Sequence, residues 1–181
     1  MSPPVSAPPI PYKIAVLVYI WNDAGELLLL HRRKPPNQHL YSPIGGKLEQ
    51  HLGESPYACA LREAQEEIAV SLTLDDIRLV GMVSERAYAS GSGQSHWLMF
   101  CFEVLRPLNF PARQIDEGQL EWHAPSKMAD LPIPKTDREI IWPLVQKYSA
   151  RSGGKDFFSV HIDCTDVEKY QITHEHPRFY P

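Results

Sequence analysis

The chain has 181 residues, of which 43% are hydrophobic and 22% charged, enough for one globular core and too little for two. A formal net charge of −4 excludes a general nucleic-acid groove, so any phosphate recognition has to be local and metal-assisted. Three widely separated cysteines, Cys59, Cys101 and Cys164, exclude a disulfide framework and a zinc knuckle and fit a reducing cytoplasm.

Five prolines, at positions 3, 4, 8, 9 and 11, make residues 1–11 a flexible proline-rich arm. The main domain is expected over 12–181, with 150–181 as a C-terminal extension. Residues 13–21 are dense in β-branched and aromatic side chains and read as a buried strand. That apolar run is far short of the roughly 20 residues that span a bilayer, so no membrane association is expected. Asn22-Asp23-Ala24-Gly25 is a turn and 26–31 a second strand, together a hairpin. Residues 40–44 lead into a glycine turn, Gly45-Gly46-Lys47.

Ser55 is a good helix N-cap, and Pro56 behind it needs no amide donor. Tyr57, Ala60, Leu61, Ala64 and Ile68 then recur at helical spacing as one apolar stripe facing the core. Strands are expected at 77–84 and 96–104, joined by a glycine-serine loop at 90–95, and the second is apolar on both parities, as a central strand is. A short strand at 119–122 and a helical turn at 126–131 follow. Thr136 is read as the cap of a helix over 137–148, and 156–162 as the last strand. The order supports an α/β domain with a mixed sheet flanked by helices.

Chemistry concentrates on the first helix. Glu63, Glu66 and Glu67 are related by three and four positions and are neighbours on its flank. Their mutual repulsion calls for a cation, and hard carboxylate oxygens suit magnesium or manganese together with substrate phosphates. The plain alternative is a solvated face on which Arg62 pairs with Glu66, worth a few tenths of a kcal/mol.

The wider context decides against that alternative. Behind Gly45-Gly46 the chain reads Glu54, seven residues, then Arg62-Glu63-Ala64-Gln65-Glu66-Glu67-Ile68-Ala69-Val70. This resembles the box of the Nudix hydrolases, which runs Gly, five residues, Glu, seven residues, Arg-Glu-apolar-x-Glu-Glu-x-Gly-apolar. Two positions depart from it. Seven residues separate Gly46 from Glu54 instead of five, and Ala69 replaces a glycine whose left-handed C-cap would cost alanine about 1 kcal/mol.

The resemblance, covering roughly residues 12–148, implies the Nudix α/β/α sandwich with a mixed central sheet. It implies Mg2+, with Mn2+ as the other candidate, held by Glu63, Glu66, Glu67 and the Gly45 carbonyl. Asp116-Glu117-Gly118 resembles the loop from which MutT-like members supply a further metal-binding glutamate, Glu117 here. Glu63 is also the candidate base, oriented by Arg62, and Glu54 completes the carboxylate shell or favours the helix N-terminus. Lys47, Arg33 and Arg32 are candidate phosphate contacts, while Trp122, Asp137 and Trp142 are candidate base-recognition residues.

The implied activity is hydrolysis of a diphosphate linked to another moiety, with a small-molecule nucleotide as partner. The string Glu117-Gly118-Gln119-Leu120-Glu121-Trp122, with Leu131-Pro132-Ile133-Pro134 after it, favours a nucleoside triphosphate, 8-oxo-dGTP-like forms included, cut to monophosphate and pyrophosphate. ADP-ribose, nucleotide-sugar or RNA-end hydrolysis and a non-catalytic nucleotide sensor are the competing readings. A diphosphate isomerase would need a cysteine–glutamate pair that nothing marks.

Overall fold

The computed structural model describes residues 10–35, 37–87, 95–166 and 169–176. The proline-rich arm expected over 1–11 lies outside the described residues as far as residue 9. So does the loop expected over 90–95, except Ser95. Strands β1 (Tyr12–Tyr19), β2 (Leu27–Arg32) and β3 (Tyr41–Ser42) precede helix α1 (Pro56–Ile68). Then come β4 (Ile77–Ala87), β5 (Ser95–Val104), β6 (Arg113–Ile115), β7 (Gly118–His123), α2 (Trp142–Tyr148), β8 (Phe158–Asp163) and β9 (Gln171–His176). Among the described residues no helix is long and apolar enough to cross a membrane.

Two sheets form: a mixed one in the order β1-β5-β4-β8-β9 and an antiparallel one in the order β3-β2-β7-β6. The expected hairpin between the first two strands exists only at its neck. There Trp21 bridges Leu27 and the Leu28 amide donates to the Ile20 carbonyl. Beyond it β1 runs parallel to β5 and β2 joins the other sheet. The free edge of β1 takes the glycine turn instead, through Val16 to Gly46 and Val18 to Ile44 backbone bonds of 2.9 and 2.8 Å.

Burial on both faces explains the split. Val16, Val18 and Ile20 pack with Leu28, Leu30 and the apolar side of α1, whereas Tyr19 and Trp21 pack with Leu27, Leu29 and α2. Each parity of β1 and β2 therefore has its own core, and the product is a helix–sheet–helix sandwich. On α1, Cys59, Ala60, Ala64 and Ile68 are buried, whereas Tyr57 at the end of the expected stripe is exposed.

Strand β4 carries one irregularity. Leu79 pairs Phe102 but Gly81 pairs Cys101, so Val80 is an extra, bulged residue. A bulge of one residue reverses the side-chain parity downstream. Ile77 and Leu79 thus face the α1 core, while Val83 faces the α2 side and Glu85 follows it.

The helix expected over 137–148 forms, with corrections. Thr136 has helical backbone angles and makes no capping bond. The first turn, Asp137–Ile141, is π-helical, and α2 proper follows. Pro143 supplies the reason, since it has no amide to return to residue 139 and its ring crowds that carbonyl. Strands β6 and β9 were not expected. β9 is paired along β8 yet exposed along its whole length, so it carries no burial pattern to read.

Candidate active site

Helix α1 begins as its sequence dictates. The Ser55 hydroxyl accepts the Ala58 amide at 3.1 Å, and Pro56 occupies the first position. It ends at Ala69 with φ 55°, so alanine holds the left-handed cap usually left to glycine. The longer 47–53 loop folds into a short helical turn at Gln50–Leu52 and is closed by Glu54, which accepts the Glu49 amide at 2.8 Å.

Arg62 is the centre of the acidic cluster. Its guanidinium donates to Glu54 from Nε at 2.8 Å and from Nη2 at 3.1 Å, and to Glu63 at 2.8 Å and Glu66 at 3.0 Å from Nη1. It also donates to the Lys47 carbonyl at 3.2 Å, tying the glycine turn to the helix. Its hydrogen bonds hold the Glu54 carboxyl down to about 2.

Glu63 and Glu67 behave oppositely. Burial raises the Glu63 carboxyl despite Arg62. Burial, then the charges of Glu63 and Glu117, push Glu67 up to about 8. Both Glu67 oxygens are buried with no hydrogen-bond partner of normal geometry among the described residues, although the nearby Gly45 backbone opposes the rise in part. A buried carboxylate without donors costs several kcal/mol unless it is protonated or meets a cation.

The glycine turn has to approach closely for this packing. A side chain on Gly45, whose φ is 140°, would meet the Val16 carbonyl, and one on Gly46 would meet the Glu63 carboxylate. Gly45 therefore excludes a Cβ, and one at Gly46 would displace the Glu63 carboxylate from its place.

These groups border a cleft of about 510 Å³, within the range of small-molecule sites. Glu63, Glu66, Gly45, Gly46 and Lys47 line one wall, with Glu117 and Arg32 facing them from the second sheet. Arg32 and Glu117 pair at 3.5 Å. Glu67 lies behind this wall, close enough to Glu63 and Glu117 to feel both charges. Glu54 is not a lining residue; it anchors Arg62. Arg33 is also outside the lining, with its guanidinium turned to the Ile115 carbonyl at 3.4 Å.

Trp122 and Trp142 do not line the cleft. Trp122 packs on Phe110 and donates to its carbonyl at 2.8 Å, and Trp142 is buried against Tyr19 and Trp21. Asp137 does line it, together with Glu85, Trp97 and Met99, which sequence reasoning missed. Strand alternation would have paired Trp97 with Met99, but the bulge at Val80 hid the parity of Glu85.

Residues 11–143 match the family model of the NUDIX domain. The chain belongs to the Nudix family. Its fold resembles the mutator MutT protein of Bacillus halodurans, with a TM-score of 0.67 and 22% identity over 92% of this chain and 99% of that one. The MutT protein of Methanosarcina mazei Go1 is similar at 0.64 and 22% identity, covering 79% and 99%. The NUDIX domain of Shewanella oneidensis NrtR, solved with ADP ribose, gives 0.59 and 18% identity over 81% and 92%. The protein is thus an enzyme of the Nudix pyrophosphohydrolase class, which acts on nucleoside diphosphate derivatives and generally uses divalent metals.

Among the described residues no three His, Cys, Asp or Glu side chains stand ready-made to hold a metal ion. Arg62 instead engages Glu54, Glu63 and Glu66. The donor set nevertheless fits a hard divalent ion. It is all oxygen, and one member, Glu67, is a buried carboxylate with no donor of its own among the described residues.

Proposed function

We propose that this Nudix enzyme hydrolyses a nucleoside triphosphate, 8-oxo-dGTP-like forms included, to the monophosphate and pyrophosphate with Mg2+ as cofactor. Mn2+ is the natural substitute. The observation that carries the reading is the buried carboxylate of Glu67, without a hydrogen-bond partner of normal geometry among the described residues, near Glu63 and Glu117 and just behind the wall of a cleft lined by Arg32 and Lys47. A metal ion would answer the buried Glu67 carboxylate, and its polyphosphate would bring anionic oxygens to the two cationic side chains.

In this reading Glu63, Glu66, Glu67, Glu117 and the Gly45 carbonyl hold the metal. The bound ion would neutralise phosphoryl oxygens and lower the pKa of the attacking water. Lys47 and Arg32 bind the phosphate chain from opposite walls. Glu63, whose burial favours the proton-bearing form, takes a proton from the attacking water as the new P–O bond forms, while a phosphoanhydride P–O bond breaks and the leaving group departs. Arg62 acts through Glu63, fixing its carboxylate with a 2.8 Å charge-assisted bond, and Glu54 in turn fixes Arg62.

Hydrolysis of ADP-ribose or a nucleotide sugar is the second reading. Its support is the likeness in fold to a domain solved with ADP ribose. A non-catalytic nucleotide sensor is disfavoured by the complete set Glu63, Glu66 and Glu67. Released pyrophosphate and phosphate, measured with and without Mg2+ across dNTPs, 8-oxo-dGTP, ADP-ribose, nucleotide sugars and triphosphate-ended RNA, distinguish these readings. Magnesium-dependent pyrophosphate from nucleoside triphosphates supports the proposal, and turnover of ADP-ribose alone refutes it.

A further inference from the structure

The second sheet carries a polar cluster that the chemistry above leaves unused. Helix α1 supplies three of the proposed metal ligands, but Gly45 and Glu117 are delivered by the second sheet from opposite sides of β2. Gly45 follows the end of β3 by three residues, and Glu117 immediately precedes β7. Because β2 lies between β3 and β7, no backbone ladder joins those two strands. The two-residue β3 pairs β2 at Leu30 with Ser42 and His31 with Tyr41.

Tyr41 makes the missing connection. β3 and β7 are two strand spacings apart, about 10 Å. The Tyr41 hydroxyl crosses over β2 and donates to Glu121 Oε2 at 2.9 Å. His31 stacks on the phenol ring at 4.6 Å and 19°, and His123 meets its edge at 5.0 Å. His123 Nε2 lies 3.2 Å from the same Glu121 oxygen. The Tyr41 amide donates to the Pro132 carbonyl at 2.8 Å, two residues before Pro134 on the cleft wall. Burial, then the bond to Glu121, raises the phenol to about 12, so it remains a donor at neutral pH.

None of Tyr41, Glu121, His31 and His123 lines the cleft, so none is placed to touch substrate. What they set is a distance. The glycine turn is bonded to β1 through Val16 and Val18. Glu117 hangs from the start of β7, where its carbonyl accepts the Arg33 amide at 2.9 Å and its side chain is 44% exposed. An oxygen shell around magnesium tolerates little spread, since its bonds hold near about 2.1 Å. We propose that the Tyr41–Glu121 bond is a positioning strut, holding Glu117 at a fixed separation from the glycine turn so that both can serve one metal ion. The proposal rests on the metal reading above, in which Glu117 is a ligand.

Tyr41→Phe keeps the ring and its stacking and removes only the hydroxyl. The test is a double-mutant cycle of Tyr41→Phe with Glu117→Gln, read as Mn2+ affinity by electron paramagnetic resonance without nucleotide. Each single variant is expected to weaken Mn2+ about tenfold, and the double variant no further than Glu117→Gln alone. In turnover, Tyr41→Phe loses kcat at limiting Mg2+ and regains it at saturating Mg2+, with the nucleotide KM within about threefold. A general loosening of the sheet would not be repaired by metal. Glu121→Gln, which keeps an acceptor for the phenol, should lose less Mn2+ affinity than Glu121→Leu.

A Tyr41→Phe protein with wild-type Mn2+ affinity overturns the strut, and so do losses that add to about a hundredfold in the double variant. Failure of the metal reading looks different. There Glu117→Gln binds Mn2+ as wild type does, or wild type binds none, and the strut falls with it. Failure of the nucleotide reading alone leaves the Mn2+ cycle to decide. Should Glu121→Leu misfold, visible by near-ultraviolet circular dichroism, Tyr41→Phe still decides.

Discussion

The two ends of the cleft are both acidic, and the difference between them is where the countercharge comes from. Near α1, Arg62 bridges Glu54, Glu63 and Glu66, while Glu67 is buried with no hydrogen-bond partner of normal geometry among the described residues. Near β4, no arginine pairs with Glu85 or Asp137 among the described residues, and their neighbours along the cleft are an indole, a thioether and a threonine. A cluster built around a fixed cation and missing one more is suited to a metal–phosphate complex. A pair with pKa values raised by burial relieves its repulsion by keeping a proton.

The largest effects should break the first cluster. Glu66→Gln and Glu67→Gln are each expected to lower turnover at least about a hundredfold while leaving the circular dichroism spectrum unchanged. Metal affinity should also weaken as pH falls below about 8, because the ion has to displace the Glu67 proton. A titration of Mn2+ binding by electron paramagnetic resonance at pH 6 and pH 8 reads this without activity, and equal affinities would separate Glu67 from the ion.

Arg62→Lys comes next. A lysine cannot serve three carboxylates in fixed geometry, so about a tenfold loss in kcat is expected. The acid limb of the kcat profile should move to higher pH as Glu63 loses its partner. An unmoved limb would leave Arg62 a scaffold residue only.

Asp137→Asn sharpens the contrast in stability. A carboxyl raised from 3.8 to about 7 on folding makes the native state lose stability as pH rises from about 4 to 7, and the penalty persists above. The substitution should therefore raise Tm by several degrees at pH 8 and hardly at all at pH 4, with each kcal/mol worth about 2–4 °C in a chain of this size. A Tm gain that is the same at both pH values would refute the buried-acid account.

The smallest effect lies at the end of the helix that carries the first cluster. Ala69→Gly removes a left-handed alanine and should stabilise by about 1 kcal/mol, read as a small rise in Tm with unchanged KM.

Legibility in the sequence follows the same division. The first cluster sits on one helix, and helical spacing, a Ser-Pro start and a glycine turn are local signals, so helical periodicity alone places Glu63, Glu66, Glu67 and Arg62 together. That Glu67 is walled in behind the cleft is not a local property, because burial there depends on β1, the glycine turn and the second sheet together.

The second cluster is assembled from three strands and a turn distant in sequence. Asp137 was visible as a candidate, but Glu85 was hidden by the bulge at Val80, which turns it to the face that periodicity assigns to its neighbours. The expected hairpin failed for a related reason. Strands buried on both faces give no alternation to say which sheet they join, and β1 and β2 have apolar residues on both parities. β9 went unseen for the opposite reason, being exposed throughout.

The most direct test of the central claim is pyrophosphate release from a nucleoside triphosphate by wild type and Glu67→Gln, each with Mg2+ and with chelator. The account predicts turnover only for wild type with Mg2+ and a drop of at least about a hundredfold in the variant. Turnover that survives chelation, or a variant as fast as wild type, would contradict it.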